Sequence, residues 1–511
     1  MQKKRSSGIL AHITSLPSPF GIGDIGPSSY AFLDYLVDCG QSYWQFLPTG
    51  PVSEIFDNSP YMSTSAFAGS SLLISPELLF QEGLIARSDL DHVPSFSPYT
   101  TDFEKVRGYK DALLRQAFRN FKPFKTPGYE SFINSNTWLN EYALFMTLKE
   151  IFNNSGWFQW PSQIASADRK SLKLLIDQHD EKINYYRFQQ FEFFRQWQLL
   201  RQYAKQKQIF LIGDLPIYVS YDSADVWAHQ AIFSLNRQTL RPINIAGVPP
   251  DYFSETGQRW GNPLYDWHAR DIKVQEQLLN WWTARFSTLF ELVDMTRIDH
   301  FRGFESFWAI PEEDATAMGG KWLKGPGADF FHQITKRLGP LNILAEDLGI
   351  ITPEVEALRL ELGYPGMKVL QFAFDGNPEN SYLPYNFQSP ECVVYTGTHD
   401  NDTTVGWYLS NAIPDSLRET IKRTANRSLH DATGVHHDFI FLAHSSIAIL
   451  SILPLQDVLG FGNDCKMNTP GVPRGNWRWR CAKEFLTSNT AEYLKNSTNL
   501  FGRGRHLRPI C

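Results

Sequence analysis

The sequence predicts an α/β protein built on a (β/α)8 barrel, with large subdomains inserted between strands 2 and 3 and between strands 3 and 4. Two observations lead to this prediction. Eight short β-rich runs alternate with segments of helical spacing, and three of these runs end directly in carboxylates. Catalytic groups of such barrels lie at the carboxyl ends of the strands. The acidic endings therefore fall where this architecture would place them.

A βαβ unit opens the chain. Residues 8–14 have the pattern of a strand, residues 28–38 carry apolar side chains at helical spacing, and residues 41–47 form a second apolar run that Pro48 ends. A strand, a helix and a strand in such quick succession favour a parallel sheet. The remaining predicted strands are 209–212, 292–298, 342–345, 367–372, 392–396 and 447–454.

Two insertions interrupt the barrel, which would comprise about 1–50, 205–225 and 282–511 of a single catalytic unit, 1–511. The first, about 51–204, is largely helical, and its aromatic residues at helical spacing favour core packing over a ligand site.

The second insertion, about 226–281, is rich in loops and includes the segment GVPPDYFSETGQRWGNP at 247–263. A long aromatic loop within a compact enzyme is usually functional, so we expect a lid carrying Tyr252, Phe253 and Trp260. An ordinary surface loop is the alternative, although it would expose these aromatic side chains to solvent.

Composition excludes several classes of protein. A net charge of −6 gives no electrostatic support for a polyanionic partner such as nucleic acid, and no apolar run reaches the length of a membrane span. An odd number of cysteines without Cys-x-x-Cys spacing favours reduced thiols and a cytoplasmic protein. The chain contains 15 Trp, 21 Tyr and 37 Phe. Sugar rings have apolar faces that aromatic side chains complement, so carbohydrate is the first candidate ligand.

The carboxylates indicate a specific chemistry. Asp299, Glu346 and Asp400 end the fourth, fifth and seventh predicted strands, so they would converge on one cavity. Glycosidic bond cleavage needs a proton donor and a carboxylate facing the anomeric carbon, and a separation of about 5–5.5 Å gives retention through a covalent intermediate. Arg297 precedes Asp299 by two residues, hence lies on the same strand face, and would keep it ionised. Asp299 is the predicted nucleophile and Glu346 the predicted acid/base.

Other chemistries fit less well. His300, His399, His436 and His437 lie near acidic residues, but none has the spacing of a known zinc motif. The chain has no Gly-x-Ser-x-Gly elbow and no phosphate-binding loop. We therefore expect neither a metal nor another cofactor.

The strand endings resemble the four signature regions of the α-amylase clan, at Gly213-Asp214, Arg297-x-Asp299, Glu346 and His399-Asp400. The chain is most similar to glycoside hydrolase family 77, the 4-α-glucanotransferases or amylomaltases. The similar motifs occur in family order and include TSLPSPFGIGDIG, SPYMSTSAFAG, GVPPDYFSETGQRWGNPLY, RIDHFRG, AEDLG, THDND and MNTPGVPRGNWRWR.

The resemblance implies residue roles at matching positions. Asp299 would carry the glucanosyl intermediate, Glu346 would be the acid/base, and Asp400 would bind and distort the sugar with support from Arg297 and His399. The residues that would line the donor or acceptor subsites are Tyr61, Asp214, Asp251 and Trp260.

The implied activity is transfer of a 1,4-α-glucan segment to the 4-hydroxyl of an acceptor. Maltooligosaccharides or fragments of glycogen or starch would be the partners, and the protein would be a monomer or a weak homo-oligomer. A retaining α-glucan hydrolase of the same clan is the first alternative, and a glucan-binding protein without catalysis is the second.

Overall fold

The structure, a computed structural model, describes residues 4–250, 254–427 and 434–505. Its strands within these ranges are β1 (Ser6–Leu10), β2 (Tyr43–Gln45), β3 (Phe210–Pro216), β4 (Asn244–Val248), β5 (Gln258–Pro263), β6 (Met295–Asp299), β7 (Ser306–Pro311), β8 (Lys321–Lys324), β9 (Ile343–Ala345), β10 (Gly366–Val369), β11 (Cys392–Tyr395) and β12 (Leu450–Pro454).

The α-helices of the same ranges are α1 (Pro27–Asp38), α2 (Pro76–Gln81), α3 (Arg87–Leu90), α4 (Phe103–Asn120), α5 (Tyr129–Ser135), α6 (Trp138–Ile151), α7 (Ser162–Ala165), α8 (Arg169–Gln178), α9 (Asp180–Gln206), α10 (Ala224–Ala228), α11 (Ile272–Leu292), α12 (Gly327–Leu338), α13 (Pro353–Glu361), α14 (Thr404–Leu409), α15 (Asp415–Thr424), α16 (Val435–Ser445), α17 (Leu455–Leu459) and α18 (Ser488–Leu500). None of the described helices is both long enough and apolar enough to cross a bilayer.

Eight parallel strands form the main sheet in the order β10-β11-β12-β1-β2-β3-β6-β9. The two ends of this order meet where the amide of Ala345 donates a hydrogen bond to the carbonyl of Pro365 at 3.0 Å. The adjacent Asp347 accepts one from the amide of Met367 at 2.7 Å. A Cβ at Gly366 would lie 2.2 Å from the Asp347 carboxylate, so a larger residue would displace that carboxylate from the Met367 amide. The sheet is thus a (β/α)8 barrel, as predicted.

The barrel strands are buried along nearly their whole length, as expected for a parallel sheet covered by helices. Each of the eight predicted runs overlaps a barrel strand, with differences of up to four residues at the ends. In the run 292–298 the first residue belongs to a helix, because α11 continues to Leu292 and β6 begins only at Met295. An apolar helix end and an apolar strand are both buried, so periodicity alone does not separate them.

A second sheet was not predicted. It is antiparallel, with the order β5-β4-β7-β8, and combines strands from before and after β6. Residues 247–263, predicted as a loop, include part of β4 and all of β5. Strand β4 also pairs with β7, about sixty residues further along the chain, and no local sequence pattern reports such a pairing.

Helices α2 to α9 fill the chain between β2 and β3. Of the α9 residues predicted to be core, Tyr185, Phe188, Phe191, Trp197 and Leu200 are buried, whereas Tyr203 is half-buried and packs against the edge of that core. The proposed subdomain boundaries remain a prediction.

Candidate active site

A buried arginine connects two strand ends of the barrel. Arg297, on β6, donates to both carboxylate oxygens of Asp214, on β3, at 2.8 and 2.7 Å, and its other terminal nitrogen bonds Asp299 at 2.8 Å. The side chain of Arg297 is 5% exposed, whereas that of Asp299 is 31% exposed and faces the open end of the barrel. Burial would lower the pKa of Arg297, but the carboxylates of Asp214 and Asp299 outweigh it and hold that pKa well above its ordinary value. A permanent positive charge therefore lies against Asp299.

Tyr61 extends this network toward the rim. Its hydroxyl donates to Asp214 at 2.8 Å, and its ring stacks on His399 with a centroid distance of 5.1 Å and an angle of 14°. Burial, followed by the nearby Asp214 carboxylate, raises the pKa of Tyr61 well above its usual value, so the hydroxyl remains a donor. Trp477 packs against both rings. Three predicted site residues, Tyr61, Asp214 and His399, thus form one contiguous wall.

Glu346 lies one residue beyond β9, next to the Asp299 loop. Its carboxylate accepts the amide of His300 at 2.6 Å and the amide of Leu348 at 2.8 Å. Burial and the Asp299 charge raise the pKa of Glu346, while Arg297 and the two amides oppose them, and the result is a pKa of about 7. A carboxyl group with such a pKa can both donate and accept a proton near neutral pH.

The backbone turn after Asp299 positions Glu346. His300 has a φ of +54°, a left-handed conformation that non-glycine residues seldom adopt. This conformation directs its amide at Glu346 and begins the short helical turn Phe301–Phe304. Burial lowers the pKa of His300 to about 4, so the imidazole is neutral. The hydrogen bond that this conformation permits holds the loops after β6 and β9 together and offsets the strain at His300.

Asp400 lies at the same end of the barrel, on its far side, in the loop after β11. Its carboxylate is about half exposed, lies 3.3 Å from the His399 ring, and accepts a hydrogen bond from the side-chain amide of Asn468 at 2.6 Å. The backbone amide of Asn468 bonds the carbonyl of His399, and the neighbouring Lys466 pairs with Asp402 at 2.7 Å. A segment late in the chain therefore fixes the His399-Asp400 turn.

Trp260, on β5, projects from the antiparallel sheet toward the nucleophile loop. Its ring meets the His300 ring edge-on at 4.9 Å. The base of β5 is anchored to the loop after β3 by Asn262, which donates to the carbonyl of Val219 at 2.8 Å. The other residues predicted for this lid, Asp251, Tyr252 and Phe253, lie outside the described residues.

Asn468 and Trp477 were missed by reasoning from the sequence. Their segment was noticed only as a motif, because an amide and an indole carry no signature of catalytic chemistry. Only the fold brings them to the strand ends. Within the described ranges, no group of three or more His, Cys, Asp or Glu side chains could hold a metal ion.

Comparison with known proteins gives a consistent result. Residues 11–487 match the family described as 4-alpha-glucanotransferase. A 4-alpha-glucanotransferase of Synechocystis sp. is 47% identical, over 98% of this chain and 99% of the relative, and one of Thermus thermophilus is 43% identical, over 94% and 95%.

Two solved structures agree with the fold. An amylomaltase from Streptococcus agalactiae in complex with acarbose superposes with a TM-score of 0.93 at 36% identity, over 98% of this chain and all of that chain. The amylomaltase from Corynebacterium glutamicum gives 0.75 at 16% identity, over 98% of this chain and 75% of that one, and supports the fold alone.

Proposed function

The chain belongs to the 4-alpha-glucanotransferase family, glycoside hydrolase family 77, and we propose that Asp299 and Glu346 carry out its reaction. Its activity is glucan transglycosylation, and its substrates are α-glucans. The residue roles and the preferred substrates are the subject of the proposal.

In the first step, an Asp299 oxygen attacks the anomeric carbon of the donor while the bond to the leaving oxygen breaks. Glu346 gives its proton to that oxygen, and the shortened glucan departs. In the second step the 4-hydroxyl of an acceptor attacks the same carbon, the Asp299 ester breaks, and Glu346 takes the hydroxyl proton. Two inversions at one carbon retain the α configuration.

The observation that best supports these roles is the difference between the two carboxylates. Asp299 receives a direct hydrogen bond from the buried Arg297, so a permanent positive charge lies against the carboxylate proposed to attack the anomeric carbon. Glu346 is more buried, and its pKa of about 7 keeps part of it protonated. Two neighbouring carboxyl groups with different electrostatic surroundings can take the two roles of a retaining enzyme.

Asp400 is proposed to bind sugar hydroxyls and to distort the ring at the reacting carbon. Its half-exposed carboxylate beside His399 leaves oxygen lone pairs available to a ligand. Tyr61 and Asp214 are proposed to line the donor side, and Trp260 the acceptor side. We also retain Asp251, Tyr252 and Phe253 as proposed parts of the substrate site on the basis of the sequence.

Transfer requires the covalent intermediate to outlast attack by water. Trp260 covers the loop that follows Asp299, and an acceptor sugar stacked on its ring would occupy the space that water needs. This argument favours transfer over the runner-up activity, retaining α-glucan hydrolysis.

Incubation with maltotriose tests the proposal. Transfer yields glucose together with maltooligosaccharides longer than the substrate, whereas hydrolysis yields only shorter products. The Asp299→Asn variant should retain glucan binding, but its rates of transfer and of hydrolysis should both fall by on the order of 10⁴-fold. If this variant stayed active, Asp299 would not be the nucleophile, and an inactive wild type that binds glucan would point to a non-catalytic protein.

The physiological setting is proposed more broadly. Maltooligosaccharides and fragments of glycogen or starch are the proposed substrates, and a monomer or a weak homo-oligomer the proposed state. Cys39, Cys392, Cys465 and Cys481 are free thiols, which supports a cytoplasmic protein.

A further inference from the structure

Trp322 differs from the other tryptophans of the chain. All fifteen lie within the described residues, and Trp322, 39% exposed, is the only one among the exposed large hydrophobic side chains. It lies on β8, the edge strand of the antiparallel sheet, whose four residues are all exposed. Met318 and Leu323, close to it in the chain, are exposed as well, and exposed apolar patches of this kind mark interaction sites.

The ring of Trp322 is rigidly held. The guanidinium of Arg302 lies over it at 3.8 Å from the ring centroid, and Trp308, its cross-strand partner, meets it at 5.2 Å and 65°. Trp308 is itself fixed by a hydrogen bond from its indole nitrogen to the carbonyl of Ala317 at 2.9 Å. A ring fixed in advance loses little conformational entropy when it binds a ligand.

Arg302 connects this ring to both catalytic loops. It lies three residues after Asp299, in the turn Phe301–Phe304, and it donates to the carbonyl of Ile350, four residues after Glu346. The side chain of Ile350 is exposed as well. Trp322 is thus linked through Arg302 to the loops that carry the proposed nucleophile and acid/base.

We propose that Trp322 is an accessory stacking position for an α-1,4-glucan chain, outside the site where the bond is broken. The proposal rests on the proposed function. The apolar face of a glucose unit matches an exposed indole in size and polarity. A polymeric substrate that fills the active site continues beyond it, so its outer units pass over the surface next to the catalytic loops.

Pairing of β8 with a second copy of the chain is the competing use of an edge strand. The strand reads Lys-Trp-Leu-Lys, with an exposed lysine at each end, of which Lys324 forms an ion pair with Glu305. Lysines on an edge strand oppose pairing between two copies, and in this strand the repulsion rests mainly on Lys321. A neutral glucan meets no such repulsion, so the charge pattern favours a sugar over a second protein chain.

The test compares long and short substrates. In the Trp322→Ala variant the KM for amylose should rise by about three- to tenfold relative to the KM for maltotriose, because only a long chain reaches the accessory position. Migration through an amylose-containing native gel should accelerate correspondingly. Trp322→Phe should recover most of both effects. Phe124→Ala, which removes a fully exposed aromatic ring of the first insertion, is the matched control and should change neither ratio.

The outcomes separate this inference from the proposed function. If Trp322→Ala still disproportionates maltotriose and its ratio of KM for amylose to KM for maltotriose is unchanged, the accessory position is wrong. The proposed transfer activity is then unaffected. A shift in sedimentation coefficient on replacing Trp322, without a change in that ratio, would also overturn the accessory position in favour of self-association. Circular dichroism melting of the Ala and Phe variants shows whether either has lost its fold.

Discussion

The two sheets of this protein present different kinds of side chain, charged groups from the barrel and aromatic rings from the antiparallel sheet. At the carboxyl ends of the barrel strands, the charged groups are held by buried ion pairs and backbone amides, as Arg297 and Glu346 illustrate. The antiparallel sheet instead presents aromatic rings, Trp260 toward the nucleophile loop and Trp322 toward solvent. Part of that sheet packs on a small separate cluster of Ile245, Ile310 and Ala317 rather than on the main core.

The difference has a physical reason. A transition state with developing charge needs dipoles and charges that do not reorganise, and a barrel of eight paired strands provides them. Recognition of sugar units needs flat apolar surface at a spacing set by the ligand, and a thin sheet at the rim suffices. Substitutions at the barrel ends should therefore cost orders of magnitude in rate, and substitutions on the outer sheet only small factors.

After Asp299→Asn, the largest effect is expected at Glu346. Replacement by Gln should lower kcat/KM by roughly 10²–10⁴-fold, because the leaving oxygen loses its proton donor. In the wild type the first step needs protonated Glu346, whose pKa is about 7. The value of kcat/KM should therefore fall as the pH rises through about 7. This alkaline limb of the pH profile should be absent in the variant. A maltosyl fluoride donor, whose leaving group needs no proton, should recover much of the first step. An unchanged limb in the variant would assign the titration to another group.

Arg297 comes next. In Arg297→Lys a single ammonium replaces the fork that bonds both Asp214 and Asp299, so we expect kcat to fall by about ten- to a hundredfold and the free energy of unfolding by about 1–3 kcal/mol. Arg195→Lys is the matched control, since Arg195 bridges Glu82 and Glu192 away from the barrel ends. Equal losses of kcat in the two variants would mean that the effect is a general loss of structure.

Asn468 should have a smaller effect. Asn468→Ala removes the amide that holds Asp400, so the carboxylate can rotate away from the sugar, and we expect kcat with maltotriose to fall by about three- to tenfold. Asn476→Ala disturbs the same segment through its bond to the amide of Thr469 without touching Asp400. An equal loss in both variants would place the effect in the segment rather than in the Asp400 contact.

Of these substitutions, Trp260→Ala should change the overall rate least. It should instead change the ratio of hydrolysis products to transfer products. Trp260→Ala should raise the ratio of hydrolysis to transfer with maltotriose by a few-fold, because water can reach the intermediate when no acceptor sugar is stacked there. Released glucose and longer oligosaccharides, quantified together, give the ratio, with Phe124→Ala as the control. A ratio equal to that of the wild type would contradict the proposed role of Trp260 in excluding water.

Much of the barrel was predictable because each of its strands is specified by the residues of one short segment. Each strand is a short buried run that ends in a turn residue or a charge, so the approximate positions of β3, β9 and β11 follow from hydrophobicity, whereas the start of β6 does not. Asp299, Glu346 and Asp400 stand at or just after such ends, where barrel geometry directs them to one face. The residue types and their strand positions thus determined the fold class and the candidate acids.

Apart from Arg297, whose position beside Asp299 follows from their spacing on one strand, only the tertiary structure decided which distant residues meet around those acids. Asn468 reaches Asp400 across 68 residues, and Arg297 reaches Asp214 across 83, distances over which a sequence carries no pairing signal. The same holds for the antiparallel sheet, whose strands come from both sides of β6 and whose pairing depends on contacts far apart in the chain. Local pattern reports which residues will be buried or strand-forming, whereas the close approach of distant residues depends on the whole chain packing at once.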